Sequence, residues 1–240
     1  MEMDAQEIER TLTEAERSLE GGGKPDLTRL GFWRAVGAVK RSPDLVQRYA
    51  DRIGAIDRRS FERQVPLRFP APLGVVVDVV GMAVGVGLIA LTISPGGPGS
   101  ALAFAGTPPW RELVFLAGMG AVLVASHTLT HWVFGTLSGI RFTHWFAVPP
   151  LKPQPGFKTD YATYLRTRPV SRAWMHASGA IVTKLVPFAA YPFALQAGLE
   201  PWAIWLILAI GVIQIVTDVV WSVRASDWKK FRREMRAARA

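Results

Sequence analysis

Six ionisable side chains lie inside long apolar runs of this 240-residue chain: Asp78, His127, His131, His176, Lys184 and Asp218. Placing an ionisable group in an apolar membrane segment is costly, so such residues mark a functional site by default. His127 and His131 are four residues apart and therefore share one face of a helix. Two imidazoles on one face can bind one metal ion, and nitrogen and oxygen ligands suit zinc, iron, nickel or manganese.

A third ligand should come from a residue at the same depth as the histidine pair. At about 1.5 Å of rise per residue, four of the six lie roughly 6–9 Å inside the apolar runs: Asp78, His131, His176 and Asp218. Asp218 is the predicted third ligand, and His176 is the rival or the fourth. Lys184 lies near mid-span. The alternative is a metal-free cluster, in which Asp78 or Asp218 pairs with Lys184 or a neutral histidine and pins the helices together.

Four apolar runs are each near the roughly 20 residues that a helix needs to cross a bilayer. They cover residues 73–93, 113–137, 173–197 and 202–223. Charged residues collect between and around these runs, which is typical of a chain that crosses a membrane several times. We therefore predict an all-α membrane protein with four transmembrane helices in residues 71–223, a helical N-terminal region in residues 1–70, a connecting loop in residues 139–172 and a basic amphipathic tail in residues 224–240.

The distribution of Lys and Arg predicts how the chain is oriented. Thirteen lie in residues 1–70, six in residues 139–172 and seven in residues 224–240, whereas the segment between the first two spans has only Arg111. By the positive-inside rule, both termini and the middle loop are cytoplasmic. The acidic, polar start predicts no cleavable signal peptide, and a prokaryotic plasma (inner) membrane is the expected location.

Composition excludes several classes of function and indicates the partners. The chain has no cysteine, which rules out disulfides and thiolate metal sites. The net charge is +9, but residues 1–70 are nearly neutral and the excess basic charge adjoins the apolar runs, so we predict no nucleic-acid partner. The predicted partners are the lipid bilayer, anionic lipids at the basic tail, and a protein docked on the polar helix of residues 3–20.

The histidine pair lies in the run Ser126–His131, which is followed by glycines and by the strand-like segment Ile140–Phe146. This arrangement resembles the site-2 type of intramembrane metalloprotease, which carries an H-E-x-x-H motif in one transmembrane helix. That family completes its zinc site with an aspartate two helices later, near the cytoplasmic side. The resemblance covers roughly residues 113–223, and it implies a zinc site with His127, His131 and Asp218 as ligands.

Thr128 occupies the place of the family's glutamate, which is the general base that activates the zinc-bound water. A threonine hydroxyl does not take up a proton near neutral pH, and the second to fourth spans contain no glutamate. We therefore expect a metalloprotease-like scaffold that is catalytically silent or repurposed, with Asp78 and His176 as the nearby groups that could replace the base.

Two other functions are consistent with the same residues. One is a metal-free structural or regulatory subunit that docks a partner through residues 3–20. The other is a small transporter in which Asp78, Lys184 and Asp218 relay ions or protons. Four spans are few for a transporter that does not oligomerise, so this function ranks last.

Three local patterns complete the prediction. Ser42 and Pro43 mark a helix start, with serine as the N-cap. In the connecting loop, the proline-rich stretch 148–157 cannot be helical throughout, whereas Asp160 can begin a short helix. We expect this loop to lie at the membrane interface with Tyr161 and Tyr164 among its aromatic anchors; the alternative is a cap over the polar cluster.

Overall fold

The computed structural model describes residues 3–22, 25–93, 110–148, 152–220 and 226–239. They form two compact units. The N-terminal unit comprises Met1–Ala71, Gly135–Ala173 and Arg233–Ala240, and the span unit comprises Pro72–Phe134 and Trp174–Arg232. Within the described ranges the elements are α1 (Ala5–Glu20), α2 (Phe32–Val39), α3 (Pro43–Gln64), β1 (Arg68–Pro70), α4 (Ala71–Ile93), α5 (Trp110–Leu137), β2 (Phe142–Val148), β3 (Lys152–Thr159), α6 (Tyr161–Arg166), α7 (Pro169–Gln196), α8 (Pro201–Val220) and α9 (Asp227–Ala237).

Among the described residues, four helices are long and apolar enough to cross a membrane: α4, α5, α7 and α8. They confirm the prediction of an integral membrane protein with four spans. The outward faces carry large apolar side chains, such as Val76 and Val80 of α4, which a lipid environment accommodates. The inward faces form an apolar cluster that includes Phe115 of α5, Ala194 of α7 and Ile207 of α8.

The first helix of the N-terminal unit packs into that unit's own core. α1 begins at Asp4, whose carboxylate accepts a hydrogen bond from the backbone N–H of Glu7 at 2.7 Å. Its apolar stripe is fully buried in a cluster with residues of α2 and α3: Ile8, Leu12, Ala15 and Leu19. The apolar stripe therefore packs within the chain, which corrects the prediction that the helix of residues 3–20 is free of the rest of the chain; a protein partner on its polar face stays a prediction.

Two predicted helix starts are confirmed. The Ser42 hydroxyl accepts a hydrogen bond from the backbone N–H of Leu45, and Pro43 is the first residue of α3. The Asp160 carboxylate likewise accepts from the backbone N–H of Ala162 at the start of α6. In both cases a short polar side chain satisfies a helix N–H that has no partner within the helix.

The segment predicted as an interfacial loop forms part of a small antiparallel sheet, with strand order β1-β2-β3. Trp145 at its centre pairs with Phe69 of β1 and with Phe157 of β3. The fold is therefore mostly but not entirely helical. The lipid anchoring predicted for Tyr161 and Tyr164 is also corrected, because Tyr164 is buried and Tyr161 packs on the core of the N-terminal unit.

The C-terminal helix contributes a buried carboxylate to the N-terminal unit. Glu234 of α9 is only 1% exposed and lies 2.7 Å from Nζ of Lys40 and 2.8 Å from Nε of Arg172. Arg172 also donates to the carbonyl oxygen of Leu165 at 3.1 Å. The tail is therefore held by specific ion pairs at Glu234, which the prediction of a purely lipid-binding tail did not include.

Candidate metal centre

Three donor atoms of the span unit converge on one point. The Nε2 atoms of His127 and His131 lie 3.2 Å apart. The Oδ2 atom of Asp227 lies 3.2 Å from Nε2 of His131 and 3.5 Å from Nε2 of His127. In a tetrahedral zinc site, bonds of about 2.0–2.1 Å place neighbouring ligand atoms about 3.3 Å apart. The three atoms therefore already have the separations expected of metal ligands.

Hydrogen bonds at the opposite ring nitrogens fix the tautomer that each histidine has when its ring is neutral. Nδ1 of His131 lies 2.6 Å from the carbonyl oxygen of Met175, which can only accept, so this Nδ1 donates. Nδ1 of His127 lies 2.8 Å from the hydroxyl oxygen of Thr183, and that hydroxyl donates its hydrogen to the carbonyl of Gly179 at 2.7 Å. Nδ1 of His127 is therefore also a donor. Each neutral ring then presents the lone pair of its Nε2 to the site.

This arrangement favours a cation between the three groups. Two nitrogen lone pairs and a carboxylate oxygen lie within 3.5 Å of one another. With both rings neutral, none of these atoms has a hydrogen to donate, so they repel one another. A metal ion relieves the repulsion at all three atoms. The metal-free alternative is an extra proton on one ring, which turns that histidine into an imidazolium ion.

The helices place these side chains in a consistent way. α5 presents both histidines on one face, with the ring centroids 4.6 Å apart in an edge-to-face arrangement. α7 supplies the carbonyl of Met175 and the hydroxyl of Thr183 that orient them. Gly179 of α7 leaves room for the ring of His131, since an added Cβ would lie within 2.7 Å of three of its atoms.

The three converging side chains are shielded but not sealed from solvent. The side chains of His127, His131 and Asp227 are 15%, 17% and 16% exposed. Structural zinc sites are closed by four protein ligands, whereas catalytic sites use three and leave the fourth position to water or substrate. With three donors among the described residues, the present group would correspond to the three-ligand type.

Asp227 is the first residue of α9, and its two oxygens have different partners. Oδ2 faces the histidines, whereas Oδ1 accepts a hydrogen bond from Nζ of Lys230 at 2.9 Å. Burial opposes ionisation of this carboxyl group, but in the metal-free form with a protonated His131, that imidazolium and Lys230 outweigh burial and hold the pKa of Asp227 below its usual range. The group is therefore a carboxylate, the form that binds metal.

Asp218, the predicted third ligand, forms an ion pair with Lys184 and lies outside the converging group. Lys184 also donates to the carbonyl oxygen of Ala180 at 3.0 Å. The rise per residue predicts the height of Asp218 along its helix, but it does not predict the direction in which the side chain points. The observed pair is the one that the metal-free alternative predicted for Asp218.

The remaining predicted residues lie elsewhere in the span unit. The hydroxyl of Thr128 donates to Oδ2 of Asp78 at 2.6 Å, and both residues are buried. Thr128, which occupies the position of the family's glutamate, is thus hydrogen-bonded to a carboxylate of α4. His176 lies near the pair, with its ring centroid 6.5 Å from that of His131, but it does not belong to the group of three converging donors.

Sequence reasoning missed Asp227 because it lies beyond the fourth span, in a segment read as a basic tail. A signal was present: Asp227 and Glu234 are the only acidic residues in 224–240. The side chains of both are shielded, one facing two histidines and the other facing Lys40 and Arg172. Lone acidic residues in a basic amphipathic helix can therefore indicate specific partners.

The fold and the span lengths define the chain as an integral membrane protein with four candidate spans. No family model matches it, and comparisons with curated proteins and with solved structures found no match either. The comparisons therefore neither support nor exclude the resemblance to site-2 proteases.

Proposed function

We propose that this protein is an integral membrane metalloprotein whose centre is held by His127, His131 and Asp227, with zinc as the favoured ion. The observation that carries the proposal is the convergence of three donor atoms at 3.2–3.5 Å with both Nε2 lone pairs directed into the site. Two imidazoles and one carboxylate are a ligand set that zinc accepts readily, and iron, nickel or manganese are the other candidates.

The centre is proposed to be repurposed and not proteolytic. A bound ion of this class would polarise a carbonyl or lower the pKa of a bound water. Hydrolysis also needs a base, and the motif position of that base is Thr128, whose hydroxyl is engaged with Asp78. Asp227, the carboxylate nearest to the histidine pair, is itself a proposed ligand. Cleavage of a membrane substrate that is lost in His127→Ala would contradict this part of the proposal.

The proposed location is a prokaryotic plasma membrane with both termini in the cytoplasm. The N-terminal unit combines residues that precede α4, residues between α5 and α7, and residues from the C-terminal helix. If the four apolar helices cross a bilayer, these three segments lie on the same side, which is what folding into one unit requires. Their excess of Lys and Arg supports the cytoplasmic side.

A second candidate is a metal-free structural or regulatory subunit. The observation that favours it is the ion pair between Lys184 and Asp218, which links α7 and α8 within the span unit. Polar pairs of this kind stabilise helix association in membranes without any chemistry. In this case the histidine cluster holds an extra proton in place of a metal ion.

Elemental analysis of the detergent-purified protein separates the two candidates. We expect about one metal ion per chain in the parent protein and none in His127→Ala/His131→Ala. His144→Ala is the matched control, because His144 lies in the N-terminal unit and contacts Glu62 at 4.0 Å. No metal in the parent protein would overturn the proposal and favour the structural subunit.

A further inference from the structure

We propose that Lys230 is a positioning residue that limits Asp227 to one metal-binding oxygen and so makes the centre four-coordinate. This inference rests on the proposed metal centre. It concerns the coordination geometry of the ion, and hence which class of metal the site accepts.

The two oxygens of Asp227 have different partners. Oδ2 lies 3.2 Å and 3.5 Å from the two histidine nitrogens, while Oδ1 accepts from Nζ of Lys230 at 2.9 Å. The ammonium group occupies one lone pair of Oδ1, and its positive charge repels a cation bound to the same oxygen, so Oδ1 is the weaker ligand. Bidentate binding would bring the metal ion close to the ammonium group, which opposes it.

Neighbouring aromatic contacts position the helix turn that carries Lys230. Lys230 lies one turn after Asp227 on α9, and its side chain is 32% exposed. The next residue, Phe231, packs edge-to-face on Trp174 of α7, with the ring centroids 5.6 Å apart. Trp228 packs on the same phenyl ring at 5.5 Å. These aromatic contacts hold the first turns of α9, and with them the backbone of Asp227 and Lys230, against α7.

The consequence is selectivity among metal ions. Two imidazole nitrogens, one carboxylate oxygen and one open position give a tetrahedral site, which suits zinc and cobalt. A bidentate carboxylate would raise the coordination number and favour ions such as manganese that prefer more oxygen ligands. Removing a group that orients a metal ligand without binding the metal itself lowers metal affinity by about 10–100-fold. An ordinary surface pair one turn apart on a helix would have no such effect.

The test is a cobalt(II) titration of the purified full-length protein followed by visible absorption. Tetrahedral cobalt absorbs visible light more strongly than five- or six-coordinate cobalt, so the spectrum reports geometry. We expect the intense tetrahedral band in the parent protein, a weaker band in Lys230→Met, and cobalt affinity reduced by about 10-fold or more. Lys230→Arg should restore the band, because a guanidinium group can also occupy Oδ1.

Lys229→Met is the matched control, because Lys229 is the exposed neighbour and its replacement removes the same charge. Lys230→Leu, which likewise has no group that can donate to Oδ1, serves as a second variant if the methionine variant does not fold. An unchanged spectrum and affinity in the folded methionine or leucine variant would overturn this inference while the metal centre stands. Absence of cobalt binding in the parent protein would overturn the metal centre itself, and this inference with it.

Discussion

At the scale of single residues, the hydrogen bonds behind the histidines decide what the centre can do. His127 and His131 would be an ordinary polar pair if their Nε2 atoms carried hydrogens. The carbonyl of Met175 and the hydroxyl of Thr183 each accept from an Nδ1 atom, which leaves both Nε2 lone pairs for a ligand. The two groups of α7 that orient the rings are therefore as informative about metal binding as the spacing of the two histidines on α5.

Gly179 offers a test of this geometry without touching a ligand. A methyl group at this position would lie within 2.7 Å of ring atoms of His131, so Gly179→Ala should displace the imidazole. We expect zinc affinity to fall by about 10–100-fold, measured by competition with a fluorescent chelator. Gly120→Ala on α5 is the control, because an added Cβ there meets nothing within 4 Å. Equal affinities in the two variants would show that His131 is not held as described.

Spacing alone paired two of the three converging residues. Two histidines four residues apart must share a helix face, so His127 and His131 could be paired from the sequence. The third ligand could not be chosen in the same way, because height along a helix says nothing about rotation. Asp218 is turned towards Lys184, and Asp227 enters from a separate helix that the sequence places outside the spans.

Glu234 provides the pH-dependent test. Burial opposes its ionisation, but Lys40 and Arg172 prevail and lower the pKa of Glu234 below its ordinary value of 4.5. At pH values between the folded-state pKa of Glu234 and 4.5, the unfolded chain binds more protons than the folded chain. The contribution of this carboxylate to stability is therefore complete above about pH 4.5 and is lost as the pH falls through the folded-state pKa.

Glu234→Gln should thus destabilise the protein by about 3 kcal/mol at pH 7, because it leaves two buried cations without a carboxylate. The difference from the parent protein should shrink as the pH falls below about 4.5. Denaturant unfolding in detergent at several pH values measures both effects. Glu20→Gln at an exposed position is the control. A difference that stays constant with pH would contradict the assigned ion pairs.

At the scale of elements, α4 and α5 approach each other closely at a pair of glycines. A Cβ added to Gly85 of α4 would lie 2.7 Å from the carbonyl oxygen of Gly118 on α5. The two backbones are therefore in contact, as small residues allow in membrane helices. Overpacking at such a contact costs about 1–3 kcal/mol.

We expect Gly85→Ala to lower the thermal unfolding temperature of the detergent-solubilised protein for this reason. Gly87→Ala on the same helix is the matched control, because its Cβ would meet nothing within 4 Å. Equal unfolding temperatures for the parent protein and the Gly85 variant would show that α4 and α5 do not pack through this glycine pair.

The spans and the sheet differ in how far the sequence determines them. Apolar length fixes a span locally, so all four could be predicted from composition. The sheet depends on pairing between Arg68–Pro70 and two strands that begin after the second span. A local sequence pattern does not indicate a pairing partner so far along the chain. The same limit explains α1, whose apolar stripe was predicted from the sequence, whereas the packing of that stripe on α2 and α3 was not.

At the scale of the whole molecule, the membrane topology can be tested because the chain has no native cysteine. Glu200 lies between α7 and α8 and Glu20 lies in the N-terminal unit, and both are exposed. In intact cells, Glu200→Cys should react with a membrane-impermeant maleimide, and Glu20→Cys should react only after permeabilisation. The reverse pattern would place the N-terminal unit outside the cell.

The central claim is that Asp227, and not Asp218, completes a metal centre with His127 and His131. Its most direct test is the zinc content of three purified proteins: the parent, Asp227→Asn, and Asp218→Asn/Lys184→Met, in which no unpaired lysine is left in the span. The account predicts about one zinc per chain in the parent and in the double variant, and a loss of zinc in Asp227→Asn. Zinc retained in Asp227→Asn, or absent from all three proteins, would contradict it.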